Sequence, residues 1–177
     1  MAIKKIVKVP DPVLNLKTER VVIDEDLKKL VTDLLDTLTA QKKPKGAGLA
    51  APQIGVSMRV CIAKKFSPNP NDEENDLETD FILINPIIVS HSEGTDTKWE
   101  ACLSIPNTYG KVERYKKIKV ETMDLHGNTF TLKADGFFAR IIQHEIDHLD
   151  GILYTSKVVG ETVTEKELDE LYEKGLE

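Results

Sequence analysis

The segment QHEIDH, residues 143–148, places two histidines and a glutamate where they can act on one metal ion. Positions four apart lie on one face of an α-helix, so His144 and His148 project together and can donate imidazole nitrogens to the same cation. Glu145 lies close enough to take a proton from water at that cation. The alternative is two core histidines placed by chance, but burying them without a partner costs several kcal/mol. The pattern therefore favours a metal site with its own base.

Cys102 is the best candidate for the third ligand that such a site usually needs. It lies in WEACLSIP after a polar stretch, whereas Cys61 lies in the apolar run MRVCIA and is expected to be an inert core thiol. His91 and His126 fall in a predicted loop and a predicted hairpin turn, where surface positions are expected. One thiolate and two imidazoles can hold ferrous iron, zinc, cobalt or nickel, so these ligands leave the metal open.

Composition restricts the class of protein. The chain has 177 residues and a net charge of -6, which predicts a single domain over residues 1–177 with a helical tail over 160–177. The acidic balance argues against nucleic-acid readout, and no segment reaches transmembrane length, so no membrane partner is expected. Two cysteines fit reduced thiols, and no signal-like run begins the chain, so we expect a cytoplasmic protein.

The elements that must position these residues follow from hydrophobic periodicity. Apolar residues at helical spacing follow the N-cap candidate Asp24, and this helix is predicted to end near Gln41. MRVCIA, FILINPIIVS, IKVETMDL and TFTLKA are predicted strands, the last two joined by a hairpin at residues 126–128. The acidic stretch 67–80 is expected to be an exposed, solvated loop.

Two further helices are predicted in the second half of the chain. QHEIDH lies in a helix that begins after Asp135, is apolar on most of its circumference and stops near Gly151. Thr164 and Glu167 have capping-box spacing at the start of the last helix. We therefore predict an α+β fold, with antiparallel strands packed around the HExxH helix and with an N-terminal and a C-terminal helix.

GAGLAAPQ at residues 46–53, EACLS at 100–104 and QHEIDH at 143–148 resemble, in this order, the three signature motifs of peptide deformylases. PDPVL, ILINP and the surroundings of the third motif extend the resemblance over roughly residues 3–155. GAGLAA also fits the dinucleotide fingerprint, but that motif must follow a strand and open a helix. Here a predicted helix precedes it, and Pro52 discourages a helix through it.

The second motif departs from the family at one position. Ala101 stands where the family usually has glycine. If that position needs a positive φ, alanine is strained by about 1 kcal/mol. If it needs only close approach to substrate, the methyl group narrows the pocket. Either effect would alter rate or specificity and leave the metal ligands intact.

The resemblance implies an enzyme that hydrolyses the formyl group from N-formylmethionyl nascent peptides and releases formate. It implies one divalent metal, expected to be Fe²⁺ with Zn²⁺, Ni²⁺ or Co²⁺ as alternatives, held by Cys102, His144 and His148. Glu145 would move a proton from water to the leaving amine. Gln53 and the backbone N–H of Leu103 would stabilise the oxyanion.

Substrate is expected to pair in extended form with the Gly46–Gly48 segment. The substrate-binding residues that the resemblance implies are Gly46, Ala47, Gly48, Glu100, Ala101, Phe137, Arg140 and Ile141. Phe137, Ile141 and the stem of Arg140 are expected to line the methionine pocket. Glu100, Arg140 and Asp147 are also expected to orient the metal ligands. For Arg140 and Asp147, a purely structural ion pair is an equal alternative.

Partners and rival classes follow from the same residues. The resemblance implies transient contact with the ribosome, but the tail from Glu161 to Glu177 has seven acids and two lysines, a poor match for RNA phosphates. We expect a monomer in the bacterial cytoplasm, with an organellar form less favoured. A metalloendopeptidase is disfavoured by Cys102 and GAGLAAPQ, and a non-catalytic homologue by Glu145.

Overall fold

The structure, a computed structural model, describes residues 2–72 and 75–176, so Met1, Glu73, Glu74 and Glu177 of the predicted domain lie outside the described residues. The elements are α1 Glu25–Ala40, β1 Gly48–Ala50, β2 Val60–Ser67, β3 Leu77–His91, β4 Thr95–Cys102, β5 Ile105–Tyr115, β6 Lys117–Met123, β7 Thr129–Asp135, α2 Gly136–Leu149 and α3 Glu165–Glu173. Short 3-10 turns lie at Pro12–Asn15, Ala51–Ile54 and Tyr154–Lys157. Helices and antiparallel sheets occur together, which confirms the predicted α+β class.

Five strands form one antiparallel sheet in the order β1-β2-β3-β6-β7, which places β1 at an edge. The β6–β7 hairpin closes as predicted at residues 126–128, where Asp124 accepts hydrogen bonds from the N–H groups of His126 and Asn128. β4 and β5 form a separate two-stranded sheet. Neither of these two strands nor β1 was predicted, because they lack a continuous apolar run.

β2 is buried on both faces, and this arrangement separates two parts of the core. Val60 and Ile62 pack with the leucines of α1, whereas Cys61 and Ala63 pack with the apolar face of α2. Successive side chains of a strand point to opposite faces, so the uninterrupted apolar run is the pattern of a doubly covered strand. The HExxH helix α2 therefore rests on the sheet. In the described residues, no helix is long and apolar enough to cross a membrane.

Helix ends follow the predicted positions with one difference in chemistry. Oδ1 of Asp24 accepts the N–H of Leu27 at 2.8 Å, so Asp24 is a true N-cap. Thr164 and Glu167 form the predicted capping box at the start of α3. Asp135 occupies the N-cap position of α2, but its side chain makes no capping hydrogen bond.

Two local predictions were wrong. The acidic stretch 67–80 is only partly a loop, because the antiparallel ladder between β2 and β3 continues to the pair Ser67↔Leu77. Glu78 within it is not simply solvated, since it accepts a hydrogen bond from Lys64 at 3.0 Å. His91 is the last residue of β3 and not part of a loop, although its side chain is exposed as expected.

Candidate metal centre

Cys102, His144 and His148 meet where the end of β4 approaches α2. Their ligand atoms all lie within 4.8 Å of one another, and Sγ of Cys102 is 3.2 Å from Nε2 of His148. In a tetrahedral site with metal–ligand distances of about 2.0–2.3 Å, the ligand atoms lie roughly 3.5 Å apart. The predicted ligands are therefore already placed to share one cation, and their soft and imidazole donors suit a transition metal.

Glu100 orients the first histidine. Nδ1 of His144 donates to Oε2 of Glu100 at 3.0 Å, which leaves Nε2 of His144 for a metal. Glu100 also accepts two hydrogen bonds of 2.9 Å from Arg114 and one of 2.7 Å from Arg140. Burial opposes its ionisation, but the hydrogen bonds from Arg114 and His144 hold the pKa of Glu100 well below its usual range. The structure thus favours the orienting role of Glu100 over direct contact with substrate.

Glu145 lies in a nearly dry position beside the ligands, with 4% of its surface exposed. Desolvation raises the pKa of Glu145 to about 7, helped by the charges of Glu100 and Asp147 and opposed by those of His144 and Arg114. A carboxyl group that titrates near neutrality is suited to accepting a proton and returning it.

Gln53 faces the centre from the turn after β1. Its Oε1 accepts the N–H of Ala50 at 2.9 Å, which fixes the orientation of the amide. Its Nε2 donates to Oγ of Ser104 at 3.2 Å and lies 3.4 Å from Sγ of Cys102. The amide donor is thus held within reach of any group bound beside the thiolate.

The N-terminal segment donates hydrogen bonds to the first two motifs, GAGLAAPQ and EACLS. The N–H of Val7 donates to the backbone oxygen of Gln53 at 2.8 Å. The ammonium group of Lys8 donates to the backbone oxygen of Leu103 at 3.0 Å. Gln53 and Leu103, the two residues predicted to stabilise the oxyanion, are therefore both held by the N-terminal segment.

A cleft of about 1000 Å³ opens over the centre. Among the residues that line it are Gly46, Ala47, Gly48, Gln53, Glu100, Ala101, Cys102, Leu103, Phe137, Arg140, Ile141, His144 and Glu145. His148, the remaining predicted site residue, is 1% exposed and contacts Cys102. Phe137 is 59% exposed, whereas Ile141 is buried in the core of α2. The structure thus brings the three motifs together around one cleft.

Comparison with known proteins matches this chain to one protein family over most of its length. Residues 3–163 match the family described as polypeptide deformylase. Peptide deformylase 1 of Bacillus subtilis strain 168 is 42% identical over 172 residues, which cover 97% of this chain and 99% of that protein. The chain belongs to the peptide deformylase family. It is therefore a hydrolase that removes the N-formyl group from nascent peptides, in a family that depends on a metal.

Solved deformylase structures share this fold. The class I type b peptide deformylase of Acinetobacter baumannii, crystallised with Met-Ala-Ser, superposes with a TM-score of 0.78 at 32% identity and covers 89% of this chain and 99% of that one. The peptide deformylase of Thermotoga maritima superposes with a TM-score of 0.77 at 31% identity and covers 90% of this chain and 100% of that one.

Arg114 is a site residue of this deformylase that the sequence analysis missed. Its guanidinium is buried and bridges Glu100 on β4 to Asp147 on α2, and Lys157 contacts the other oxygen of Asp147 at 2.7 Å. The available signal was alternation, because Val112 and Arg114 share the buried face of β5. Because no strand was predicted at β5, this alternation could not be used to place Arg114 on a buried face.

Arg140 and Asp147 both take part in buried or half-buried ion pairs. Besides Glu100, Arg140 contacts Oδ1 of Asp96 at 2.6 Å and donates to the backbone oxygen of Val112 at 2.8 Å. These contacts are ion pairs, and the one to Glu100 also reaches the group that orients His144, so they are compatible with both alternatives that the sequence left open, ligand orientation and a structural ion pair.

Ala101 fits the deformylase backbone without strain. Of the non-glycine residues in the described parts of the chain, only Asn85 and Asn107 have positive φ. Of the two alternatives for Ala101, a strained left-handed backbone is therefore excluded, and close approach to the substrate remains. Its exposed methyl group lies in the cleft wall. GAGLAA leads into β1 and a 3-10 turn and not into an α-helix, which agrees with the rejection of the dinucleotide fingerprint.

Proposed function

We propose that Cys102, His144 and His148 hold the catalytic metal of this deformylase and that the metal is Fe²⁺. The close approach of their three ligand atoms within 4.8 Å carries this proposal. The same donors accept Zn²⁺, Ni²⁺ and Co²⁺, so activity with these ions is the expected alternative. Bound there, the cation would polarise the formyl carbonyl and lower the pKa of water.

Glu145 is the proton carrier in the proposed reaction. Its buried carboxylate lies next to His144 on α2 and against the backbone of Gly48 on β1. It accepts a proton from the attacking water and then donates it to the amine nitrogen that leaves with methionine. The Nε2 group of Gln53 and the N–H of Leu103 donate to the oxyanion as the carbonyl carbon becomes tetrahedral.

The free edge of β1 is the proposed track for the substrate backbone. β1 pairs with β2 on one side only, so the Gly46–Gly48 segment can accept an added strand. We place the side chain of the formylmethionine between Phe137 and Ile141, which line the cleft. By this placement Ala101 narrows the cleft near the formyl end and disfavours larger acyl groups.

The proposed unit is one catalytic domain with a C-terminal helical tail. α3 is attached by the pairing of Val163 with Tyr109 and by a hydrogen bond of 3.0 Å from the N–H of Glu165 to Asn107. Its buried Leu168 also ties it to the domain. We propose that the enzyme acts as a monomer in the bacterial cytoplasm and that its acidic tail does not anchor it to the ribosome by charge. Loss of salt-sensitive ribosome binding on deleting residues 160–177 would overturn the statement about the tail.

Formate release from formyl-Met-Ala-Ser tests the proposal. Protein purified anaerobically with Fe²⁺ is expected to release formate rapidly, and Glu145→Ala is expected to lose about 10²–10⁴-fold in rate while retaining its metal. An inactive parent with a full metal site would contradict the assigned roles, and Ala101→Gly would then show whether the methyl group blocks the substrate. Cleavage of unformylated internal peptide bonds would instead indicate a metalloendopeptidase.

A further inference from the structure

Lysines crowd one side of the cleft mouth. Lys4, Lys5, Lys8, Lys42, Lys43 and Lys45 all line the cleft, from the N-terminal segment and from the turn between α1 and β1. Among the described residues of the lining, the one exposed carboxylate is that of Glu165. This local excess of positive charge contrasts with the net charge of -6 of the whole chain.

Three of the six lysines already have partners: Lys4 pairs with Asp33, Lys45 with Glu78 and Lys8 with the backbone oxygen of Leu103. Lys5, Lys42 and Lys43 form no ion pair within residues 2–72 and 75–176. These three residues are called the lysine collar below. All three are exposed, so their ammonium groups can meet a charged ligand at the mouth.

The free edge of β1 sets the direction in which a bound peptide leaves the centre. Glu145 contacts Gly48, so the formyl end lies beside that residue. Residues 41–48 all line the cleft, whereas of residues 49–54 only Gln53 does, so the cleft extends from Gly48 toward the turn and not toward Ile54. The peptide must therefore run antiparallel to β1, past Gly46 and toward the turn at residues 42–45. In this turn the backbones of Lys42 and Lys45 form an isolated antiparallel β-bridge.

Only a few peptide residues separate the metal centre from this turn. A strand rises about 3.3 Å per residue, so Lys45 lies roughly 10 Å along the track from Gly48. Peptide residues from the fourth onward therefore pass the lysine collar, whereas the first lies over the metal centre. The collar cannot affect the chemical step directly, but it can attract or repel the side chains that follow.

From this geometry we infer that the lysine collar binds acidic side chains near the fourth and fifth positions of the nascent peptide, so that the enzyme prefers acidic N-terminal sequences. The inference rests on the proposed function of the centre. Exposed charge pairs each contribute little, but two of them acting together change association several-fold. Attraction of this kind weakens as salt shortens the Debye length.

Amidated pentapeptides of the form formyl-Met-Ala-Ser-Xaa-Xaa test the inference, with Xaa as Glu, Gln or Lys. Amidation removes the terminal carboxylate, which would otherwise supply an acid to every peptide. At low ionic strength the parent enzyme is expected to have a kcat/KM roughly three- to twentyfold higher for the Glu peptide than for the Lys peptide. In about 0.5 M salt the ratio should fall below about twofold.

Two triple variants separate the collar from the overall charge. Lys5→Gln, Lys42→Gln and Lys43→Gln together are expected to bring the ratio close to one. The control changes Lys117, Lys119 and Lys133 to Gln, three exposed lysines outside the cleft with no ion pair in the described residues. It alters the net charge equally and is expected to retain the preference of the parent.

Each outcome bears on a distinct statement. Equal rates on all three peptides, or a ratio lost equally in both triple variants, would overturn the inference and leave the assigned centre intact. No formate from any peptide would overturn the proposed function and the inference together. Equal peptide rates with salt-sensitive ribosome binding that only the collar variant loses would show that the collar binds RNA phosphate, which also overturns the inference.

Discussion

The carboxylate of Glu145 lies directly against the backbone of Gly48. A Cβ atom added at Gly48 would come 2.4 Å from Oε1 of Glu145 and 2.7 Å from its carboxyl carbon. Gly48 does not have a positive φ, so the position needs glycine for space and not for backbone conformation. The first motif therefore sets the position of the base carried by the third.

Gly48→Ala is expected to displace Glu145 and to lower kcat/KM by about 10²–10³-fold, because the carboxylate can no longer reach the attacking water. Metal content, measured by plasma mass spectrometry, should not change. Gly94→Ala is the control, since an added Cβ there meets only Lys116 at an ordinary 3.7 Å. Full activity in Gly48→Ala would show that the base has another position available.

The two cysteines provide a matched test of the metal ligands. Cys102→Ala is expected to weaken metal binding by at least about a hundredfold, because it removes a ligand and not merely a group that orients one. Cys61→Ala removes a thiol buried in β2 and should keep the metal. Equilibrium dialysis against a metal-sensitive dye measures both affinities. Equal metal binding by the two variants would remove Cys102 from the site.

Arg114→Met is expected to destabilise the protein by about 3–5 kcal/mol in urea unfolding, since it leaves Glu100 and Asp147 buried with fewer partners. The exposed Arg20 forms no ion pair in the described part of the chain, so Arg20→Met should change stability by less than about 0.5 kcal/mol. A small effect of Arg114→Met would indicate that Arg140 and Lys157 suffice to neutralise the two carboxylates.

Asp24 and Asp135 occupy equivalent helix positions with different contacts, and their alanine variants should therefore differ. Asp24→Ala is expected to cost about 1 kcal/mol of unfolding free energy, because the N–H of Leu27 loses its acceptor. Asp135→Ala should cost less than about 0.5 kcal/mol, since that side chain makes no capping bond. Thermal unfolding of the two variants measures the difference. Equal costs would contradict the distinction between them.

Much of the fold followed from local sequence patterns. The α1 helix, the β6–β7 hairpin and the α3 capping box lie where periodicity and capping residues predicted them. The β4–β5 sheet and β1 did not follow, because their residues alternate weakly or form only three pairs. Pairing with a neighbour, and not local preference, makes such segments into strands.

For the site, the sequence by itself determined that His144 and His148 share a helix face with Glu145 next to one of them, because helical geometry links residues four apart. Only the tertiary structure decided that Cys102, more than forty positions earlier, reaches His148 at 3.2 Å. Only the tertiary structure, likewise, places Arg114 against Glu100 and brings the lysines of the turn at residues 42–45 to the cleft. Local hydrogen bonding is set by near neighbours, whereas contacts between distant segments depend on strand register and on the path of the whole chain.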